Sequence, residues 1–140
     1  MSHGISQLEN RNWIFKNRIY PIQPAISAAT VDATLTVAEM LTGIITGTHS
    51  EGSTQTYTTP TGTLLEAAMP GDIITGSHLD VTFINLSTAL ADTITIAGGS
   101  GVSLVGQVVV DSAHADSEFP SSGTFRFRRS AANTFVGYRL

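Results

Sequence analysis

The stretch from Leu79 to Gly106 alternates apolar and small polar residues, and this pattern constrains the fold more than any other feature of the chain. Its apolar residues recur at every second position in three sets: Leu79, Val81 and Phe83; Ile94 and Ile96; Val102 and Leu104. A period of two places one set of side chains on one face of a strand. The stretch therefore predicts successive short β-strands, each with one face in a core.

A glycine-rich linker, residues 98–101, separates the second and third of these runs. Glycine adopts at little cost the positive φ angles that a tight chain reversal needs. We therefore predict that Ile94–Ala97 and Val102–Val105 pair as a β-hairpin.

The composition suits a small β domain. The 140 residues include 19 Thr and 14 Ser, about a quarter of the chain, whereas charged residues make up 13%. Thr favours strands, and a chain of this length buries one modest core. No Cys is present, so disulfides contribute nothing to stability. Because the chain has neither an apolar run of 18 residues nor a signal-peptide pattern, we expect a protein made in the cytoplasm, without a membrane partner.

The charges are segregated along the chain. No Lys or Arg occurs between Arg18 and Arg126, and that interval contains ten of the eleven acidic residues. The bases form two terminal groups, Arg11, Lys16 and Arg18 in one and Arg126, Arg128, Arg129 and Arg139 in the other. An acidic body would repel nucleic acid, so we expect no nucleic-acid partner. The basic ends either meet acidic protein surfaces or are ordinary solvated charges, and the sequence leaves both open.

Residues 1–32 differ in composition from the rest of the chain, because aromatic and aliphatic residues are interleaved with basic and amide residues and two prolines. A capping-box pattern from Ser6 to Glu9 allows a short helix, whereas Pro21 and Pro24 favour an extended arm, which we prefer. The arm is predicted to bind a partner through its aromatic, aliphatic and basic side chains, because large apolar residues dominate interface energetics. An alternative is that the arm covers the core of its own domain. The predicted partner-binding residues are Arg11, Trp13, Phe15, Lys16, Arg18, Ile19, Tyr20 and Ile22.

The β domain is predicted to span residues 33–140 and to contain two short helices. Thr36 and Glu39 form a capping-box pattern, and Gly43 suits the end of that helix. The second helix is predicted to have Thr59 as its N-cap and Pro60 as its first residue, and to end at Pro70-Gly71. The side chains predicted to face the core are Leu64, Leu65, Ala68 and Met69.

Further strands are predicted on either side of the central stretch, at residues 44–46, 55–59, 107–111, 123–129 and 134–140, with a hairpin turn at 130–133. In the strand over 123–129, Phe125 and Phe127 should face inward and Arg126 and Arg128 outward. The fold class is therefore mainly β: a β-sandwich or jelly-roll-like core with two short helices and an extended N-terminal arm.

No motif in the chain indicates catalysis. The four histidines, His3, His49, His78 and His114, lack the spacings of zinc sites. A polar loop contains Asp111, His114, Asp116 and Glu118 without the residue order of a calcium loop. The chain contains neither a phosphate-binding Gly-Lys-Ser/Thr nor a Gly-x-Ser-x-Gly motif, and Asn85-Leu86-Ser87 fits a glycosylation sequon without a secretory signal. We expect a protein without catalytic residues, metal or cofactor.

Five segments between Leu35 and Leu140 resemble small structural proteins of tailed bacteriophage virions, of the capsid decoration or cement type. These segments are LTVAEMLTGIITGT, TPTGTLLEAAMPGD, DVTFINLS, ITIAGGSGVSLVG and FRFRRSAANTFVGYRL. The resemblance implies a mostly β subunit, commonly a homotrimer, that sits on the outside of the virion capsid and ties neighbouring copies of the major capsid protein together. Residues 1–32 lie outside the resemblance.

A phage fibre or tail β module that binds a receptor or a glycan is the alternative. Sugars stack on aromatic rings, so exposed aromatic clusters in loops would favour a glycan-binding module. The aromatic residues of this chain lie instead in the arm or alternate within predicted strands.

Overall fold

The computed structural model describes residues 27–29, 32–50 and 52–140, with the backbone alone for 27–29. The predicted partner-binding residues 11–22 and His3 lie outside these ranges. The described residues form two helices, α1 (Val37–Leu41) and α2 (Gly62–Ala68). They also form ten strands: β1 Ser27–Ala29, β2 Ala33–Thr34, β3 Ile44–Gly47, β4 Gln55–Thr58, β5 His78–Asn85, β6 Ile94–Ala97, β7 Val102–Val105, β8 Val109–Val110, β9 Ser122–Ala131 and β10 Thr134–Arg139.

The strands build two sheets, and the chain passes from one sheet to the other after every strand from β1 to β8. The first sheet, sheet A, has the order β1-β3-β5-β9-β10-β7, and the second, sheet B, has the order β2-β4-β6-β8. The pairs β1–β3, β3–β5, β2–β4 and β4–β6 are all parallel, so the first six strands wind as three stacked coils. The predicted mainly β core with two short helices is confirmed.

Antiparallel pairs complete both sheets. In sheet A, β9 pairs antiparallel with β5 on one side and with β10 on the other, and β7 adds parallel to β10. In sheet B, β8 pairs antiparallel with β6. The strand β1 falls within the predicted arm, residues 1–32, and forms the edge of sheet A opposite to β7.

The predicted hairpin between Ile94–Ala97 and Val102–Val105 is wrong. These segments are strands β6 and β7, but they belong to different sheets, and the linker carries the chain from sheet B to sheet A. The linker glycines allow neighbouring main-chain segments to pack closely. A Cβ on Gly98 would collide with the Val102 carbonyl oxygen, and a Cβ on Gly99 would lie 2.5 Å from the Thr59 carbonyl oxygen. Alternation reveals which face of a strand is buried but not which strand lies beside it.

One hydrophobic core lies between the sheets, and the predicted inward positions supply most of it. Val81, Phe83, Ile94 and Ile96 are buried, Val102 is nearly so, and Leu79 and Leu104 pack against them. The rings of Phe83 and Phe125 meet edge to face with centroids 5.8 Å apart. The inward Phe125 and Phe127 and the outward Arg126 and Arg128 of β9 follow the predicted alternation. Each buried aromatic side chain stabilises the fold by about 1.5–3 kcal/mol.

Helix α1 begins and ends as predicted. The Thr36 hydroxyl accepts a hydrogen bond from the Glu39 main-chain N at 3.2 Å, and Glu39 Oε2 accepts one from the Thr36 main-chain N at 2.7 Å. Gly43 follows the helix with φ +78°, a conformation that glycine adopts without strain. Met40 anchors the helix in the core.

Helix α2 begins two residues later than predicted, with Thr61 as its N-cap in place of Thr59. The Thr59 hydroxyl is engaged elsewhere, since it donates to the Pro60 carbonyl oxygen and accepts from the Gly99 main-chain N at 2.9 Å. It therefore binds the linker between the sheets and is not available to cap the helix. The threonines at both positions suit a cap, and only the tertiary contact distinguishes them.

The packed face of α2 is narrower than predicted. Leu65 is buried and Met69 packs against the core, but Leu64 is 56% exposed and Ala68 is also exposed. A seven-residue helix that contacts the domain along one line buries one residue per turn, so the wider predicted face is incorrect at these two positions.

The C-terminal strands agree with the predictions apart from their lengths. Strands β9 and β10 form the predicted hairpin, with the turn tightened to Ala132–Asn133 and Asn133 at φ +55°. The strand predicted over residues 107–111 shrinks to β8 because the Gln107 side chain accepts from the Val109 main-chain N at 2.9 Å and so competes with the sheet.

Candidate interaction surface

The outer face of sheet A carries an exposed strip on its last three strands. Inward Phe135 and Gly137 leave Val136 and Tyr138 of β10 on the outer face. The register places Tyr138 between Arg126 of β9 and Val105 of β7, and Val136 beside Arg128. Tyr138 is 38% and Val105 51% exposed. We call the residues Val105, Arg128, Val136 and Tyr138 the outer strip.

Arg126 is adjacent to the outer strip but already has a partner. Its Nε and Nη2 donate to the two carboxylate oxygens of Asp80 on β5, both at 2.8 Å. These hydrogen bonds lower the pKa of Asp80 and raise that of Arg126. The pair lies at the surface, so it fixes the two side chains in place and contributes modestly to stability.

The Arg128 side chain makes no hydrogen bond or ion pair with the part of the chain that the structure describes. It extends past Gly76, where an added Cβ would lie 3.5 Å from its Nη2 atom. The outer strip therefore combines an uncompensated cation with a Tyr and two Val residues on a rigid sheet. Arg and Tyr are enriched among the residues that dominate protein interfaces.

A shallow groove of about 580 Å³ lies where the chain enters β9. Its apolar wall is formed by Phe119, Pro120 and Leu140, and Leu140 is 65% exposed. The groove borders the segment that connects β8 to β9, residues 111–121, which we call the acidic loop. Two of its carboxylates, Asp116 and Glu118, are exposed.

Arg139 forms part of the groove wall but its guanidinium is engaged. It donates to the main-chain oxygens of Gln107, Val109 and Ser122 at 3.2, 3.1 and 3.0 Å, and it lies 5.4 Å from the centre of the Phe125 ring. Partial burial without a carboxylate partner lowers the pKa of Arg139. Its contacts join β10 to the outer edge of β8, so the residue closes one side of the sandwich.

The acidic and histidine side chains of the polar loop do not converge on one point. Asp111 turns inward, and its Oδ2 accepts from the Phe119 main-chain N at 2.7 Å. The His114 ring accepts from the Asp116 main-chain N at 3.1 Å, so the loop is organised by its own contacts. Among the described residues no three His, Cys, Asp or Glu side chains lie close enough to hold a metal ion.

A buried polar cluster just beyond the C-terminal end of β3 was not predicted from the sequence. The His49 Nε2 lies 3.2 Å from the Thr93 carbonyl oxygen, and its Nδ1 lies 3.6 Å from Asp92 Oδ1. Asp92 Oδ1 also accepts from the Gly52 main-chain N at 2.7 Å. The cluster links the two connections that cross from sheet A to sheet B. No local pattern indicates it, because His49 and Asp92 are far apart in the sequence.

Ser87 belongs to the same cluster. Its hydroxyl accepts a hydrogen bond from the main-chain N of His49, at 3.0 Å, and not from the His49 ring. Within the described ranges neither ring nitrogen of His49 is hydrogen-bonded to that hydroxyl. Asn85, the first residue of the sequon, is 1% exposed and its amide nitrogen donates to the Asp92 carbonyl oxygen at 2.7 Å. The folded chain therefore does not present this amide to solvent, and these side chains hold the crossing loops in place.

The predicted partner-binding residues all fall within residues 1–32, so none of them belongs to the outer strip. The alternation in β9 did predict that Arg126 and Arg128 face outward. Strand pairing, which local patterns do not reveal, brings Val105 and Tyr138 beside them. None of the helices in the described ranges is long and apolar enough to span a membrane.

No protein-family model, curated protein sequence or solved structure matches this chain.

Proposed function

We propose that the chain is a non-enzymatic structural protein of a phage virion, which decorates the outside of the capsid as a homotrimer and stabilises contacts between copies of the major capsid protein. The resemblance of Leu35–Leu140 to capsid decoration proteins supports this role. The structural observation that supports it best is the outer strip, an exposed Arg-Tyr-Val surface on the last three strands of sheet A in a well-packed sandwich.

The outer strip suits a stabilising contact because it is rigid. Tyr138 and Arg128 project from long paired strands, so little backbone freedom is lost when a partner binds. A specific interface generally buries at least about 1,000 Å², so the strip would form the centre of a larger contact. Three such contacts, one between each pair of neighbouring copies, would hold the trimer together, and a trimer multiplies attachment to the capsid through effective concentration.

The predicted arm supplies a second contact in this proposal. The eight predicted partner-binding residues between Arg11 and Ile22 precede β1, which forms the edge of sheet A opposite to β7. In this proposal the arm contacts the capsid, and the outer strip contacts a sister copy.

Co-sedimentation with capsid shells that lack decoration tests this proposal. The protein should bind the shells saturably, and Tyr138→Ala should reduce the affinity by roughly tenfold or more, since loss of a central anchor of the outer strip weakens the contact between copies and with it the multivalent attachment to the shell. Leu86→Ala is the matched control, because Leu86 is 53% exposed in the connection between β5 and β6 and is not part of the strip. Absence of saturable binding by the wild-type protein would refute the capsid role.

A fibre or tail module that binds a receptor or glycan remains the second candidate, and the exposed Tyr138 ring on the outer face of sheet A favours it. Binding of the protein to host cells or to immobilised glycans, lost in Tyr138→Ala and kept in Leu86→Ala, would support this candidate in place of the capsid role.

A further inference from the structure

We infer that Arg128 on the outer strip of one copy docks on the acidic loop, residues 111–121, of a second copy of this chain. This inference rests on the proposed homotrimer and names the surfaces that would form it.

Among the arginines that the structure describes, Arg128 has neither a hydrogen-bond partner nor an ion-pair partner. Arg126 binds Asp80, Arg129 binds Glu66, and Arg139 binds main-chain oxygens. A guanidinium on an apolar surface binds best to a carboxylate, which it can contact through two parallel hydrogen bonds.

The acidic loop offers such carboxylates. Asp116 has a side chain that is 80% exposed, and its ionic contact to His114 is long, at 3.9 Å. Glu118 is exposed and makes no hydrogen bond or ion pair with other described residues. Phe119, which follows Glu118 in the chain, and Pro120 line the apolar groove together with Leu140.

The two surfaces therefore complement each other in both charge and polarity. The outer strip presents a cation beside Val105, Val136 and Tyr138. The acidic loop presents two anions beside the groove. A contact between the two would pair the opposite charges and remove exposed apolar side chains from water.

Arg128 cannot reach the acidic loop of its own copy. The loop leads into β9 at Ser122, and Arg128 lies six residues further along that strand, about 20 Å away at the rise of an extended chain. A contact between the surfaces must therefore join two copies. Made reciprocally it forms a two-fold dimer, and made in one direction it generates a ring if its rotation closes. Three copies in such a ring form the trimer of the proposed function.

Charge reversal combined with light scattering tests the contact on the full chain. Arg128→Glu and Glu118→Arg should each weaken self-association, raising the dissociation constant roughly tenfold or more, because each places like charges opposite one another. The double variant, with both reversals in one chain, should recover assembly since it restores the opposite pair. Circular dichroism should show the same folded state in all variants.

Asp72→Arg is the control for Glu118→Arg, since it changes the net charge equally at an exposed carboxylate outside the acidic loop. It should leave assembly intact. A wild-type trimer that none of the reversals weakens would overturn the inference and leave the capsid role standing. A wild-type dimer that the reversals dissociate would support the contact and overturn the trimer. A wild-type monomer at micromolar concentration would overturn both.

Discussion

The guanidinium of Arg139 occupies the space above Gly123 that a side chain at position 123 would fill. Glycine at this position therefore allows the Arg139 side chain of β10 to extend across β9 to the edge of β8. That cation satisfies three main-chain oxygens, of Gln107, Val109 and Ser122. Exposed sheet edges promote unwanted strand pairing, and a bound arginine blocks the edge of sheet B.

Gly123→Ala should destabilise the fold by about 1–3 kcal/mol, because the added methyl group displaces Arg139 and leaves main-chain oxygens unpaired. Urea denaturation measures this loss as a lower midpoint. Gly71→Ala is the matched control, since an added Cβ there meets no atom within 4 Å. Equal midpoints for Gly123→Ala and the wild type would contradict the role assigned to this glycine.

Replacement of Arg139 should have a larger effect than replacement of Arg128. Arg139→Ala removes three hydrogen bonds and the contact with the Phe125 ring, so the free energy of unfolding should fall by about 2–4 kcal/mol. Arg128→Ala removes a side chain that makes no hydrogen bond with the described residues of its own copy and should change the unfolding free energy of the monomer by less than about 0.5 kcal/mol. Thermal unfolding of the two variants, at a concentration at which the protein is monomeric, gives the comparison, and a reversed order would be inconsistent with the structure.

Thr36→Ala removes the N-cap of α1 and should cost about 1 kcal/mol, because the Glu39 main-chain N then loses its acceptor. Thr63→Ala, at an exposed position within α2, should be neutral or slightly stabilising since Ala favours helices. The difference between these variants in denaturant midpoint checks the prediction. A stabilising Thr36→Ala would show that the cap contributes nothing.

Stability should fall in acid because two carboxyl groups are ion-paired in the folded protein. The hydrogen bond from Arg126 lowers the pKa of Asp80, and that from Arg129 lowers the pKa of Glu66. A carboxyl group whose pKa is lower in the folded than in the unfolded state stabilises the protein above the unfolded-state pKa of about 4. This stabilisation is lost as pH falls through the folded-state pKa. Asp80→Asn should therefore flatten the decline of unfolding free energy below about pH 4, and an unchanged decline in this variant would contradict the role of the pair with Arg126.

Local signals in the sequence were enough to predict most core positions and the existence of the two helices. The alternation around Phe125 and the pair Thr36 and Glu39 act within a few residues, so they act alike in any tertiary setting. The partner of β7 depends on β10, about thirty residues away, and no local pattern encodes that choice. The same limit applies to the candidate site. The outward direction of Arg128 follows from alternation, but its position beside Val136 and near Val105 and Tyr138 follows from pairing alone.

Electron cryomicroscopy of virions that contain the protein tests the capsid role most directly. The proposal predicts three-lobed density on the outer surface of the capsid, with one sandwich of ten strands fitting each lobe and contacting the major capsid protein. Density confined to the tail or fibres, or virions from which the protein is absent, would contradict it.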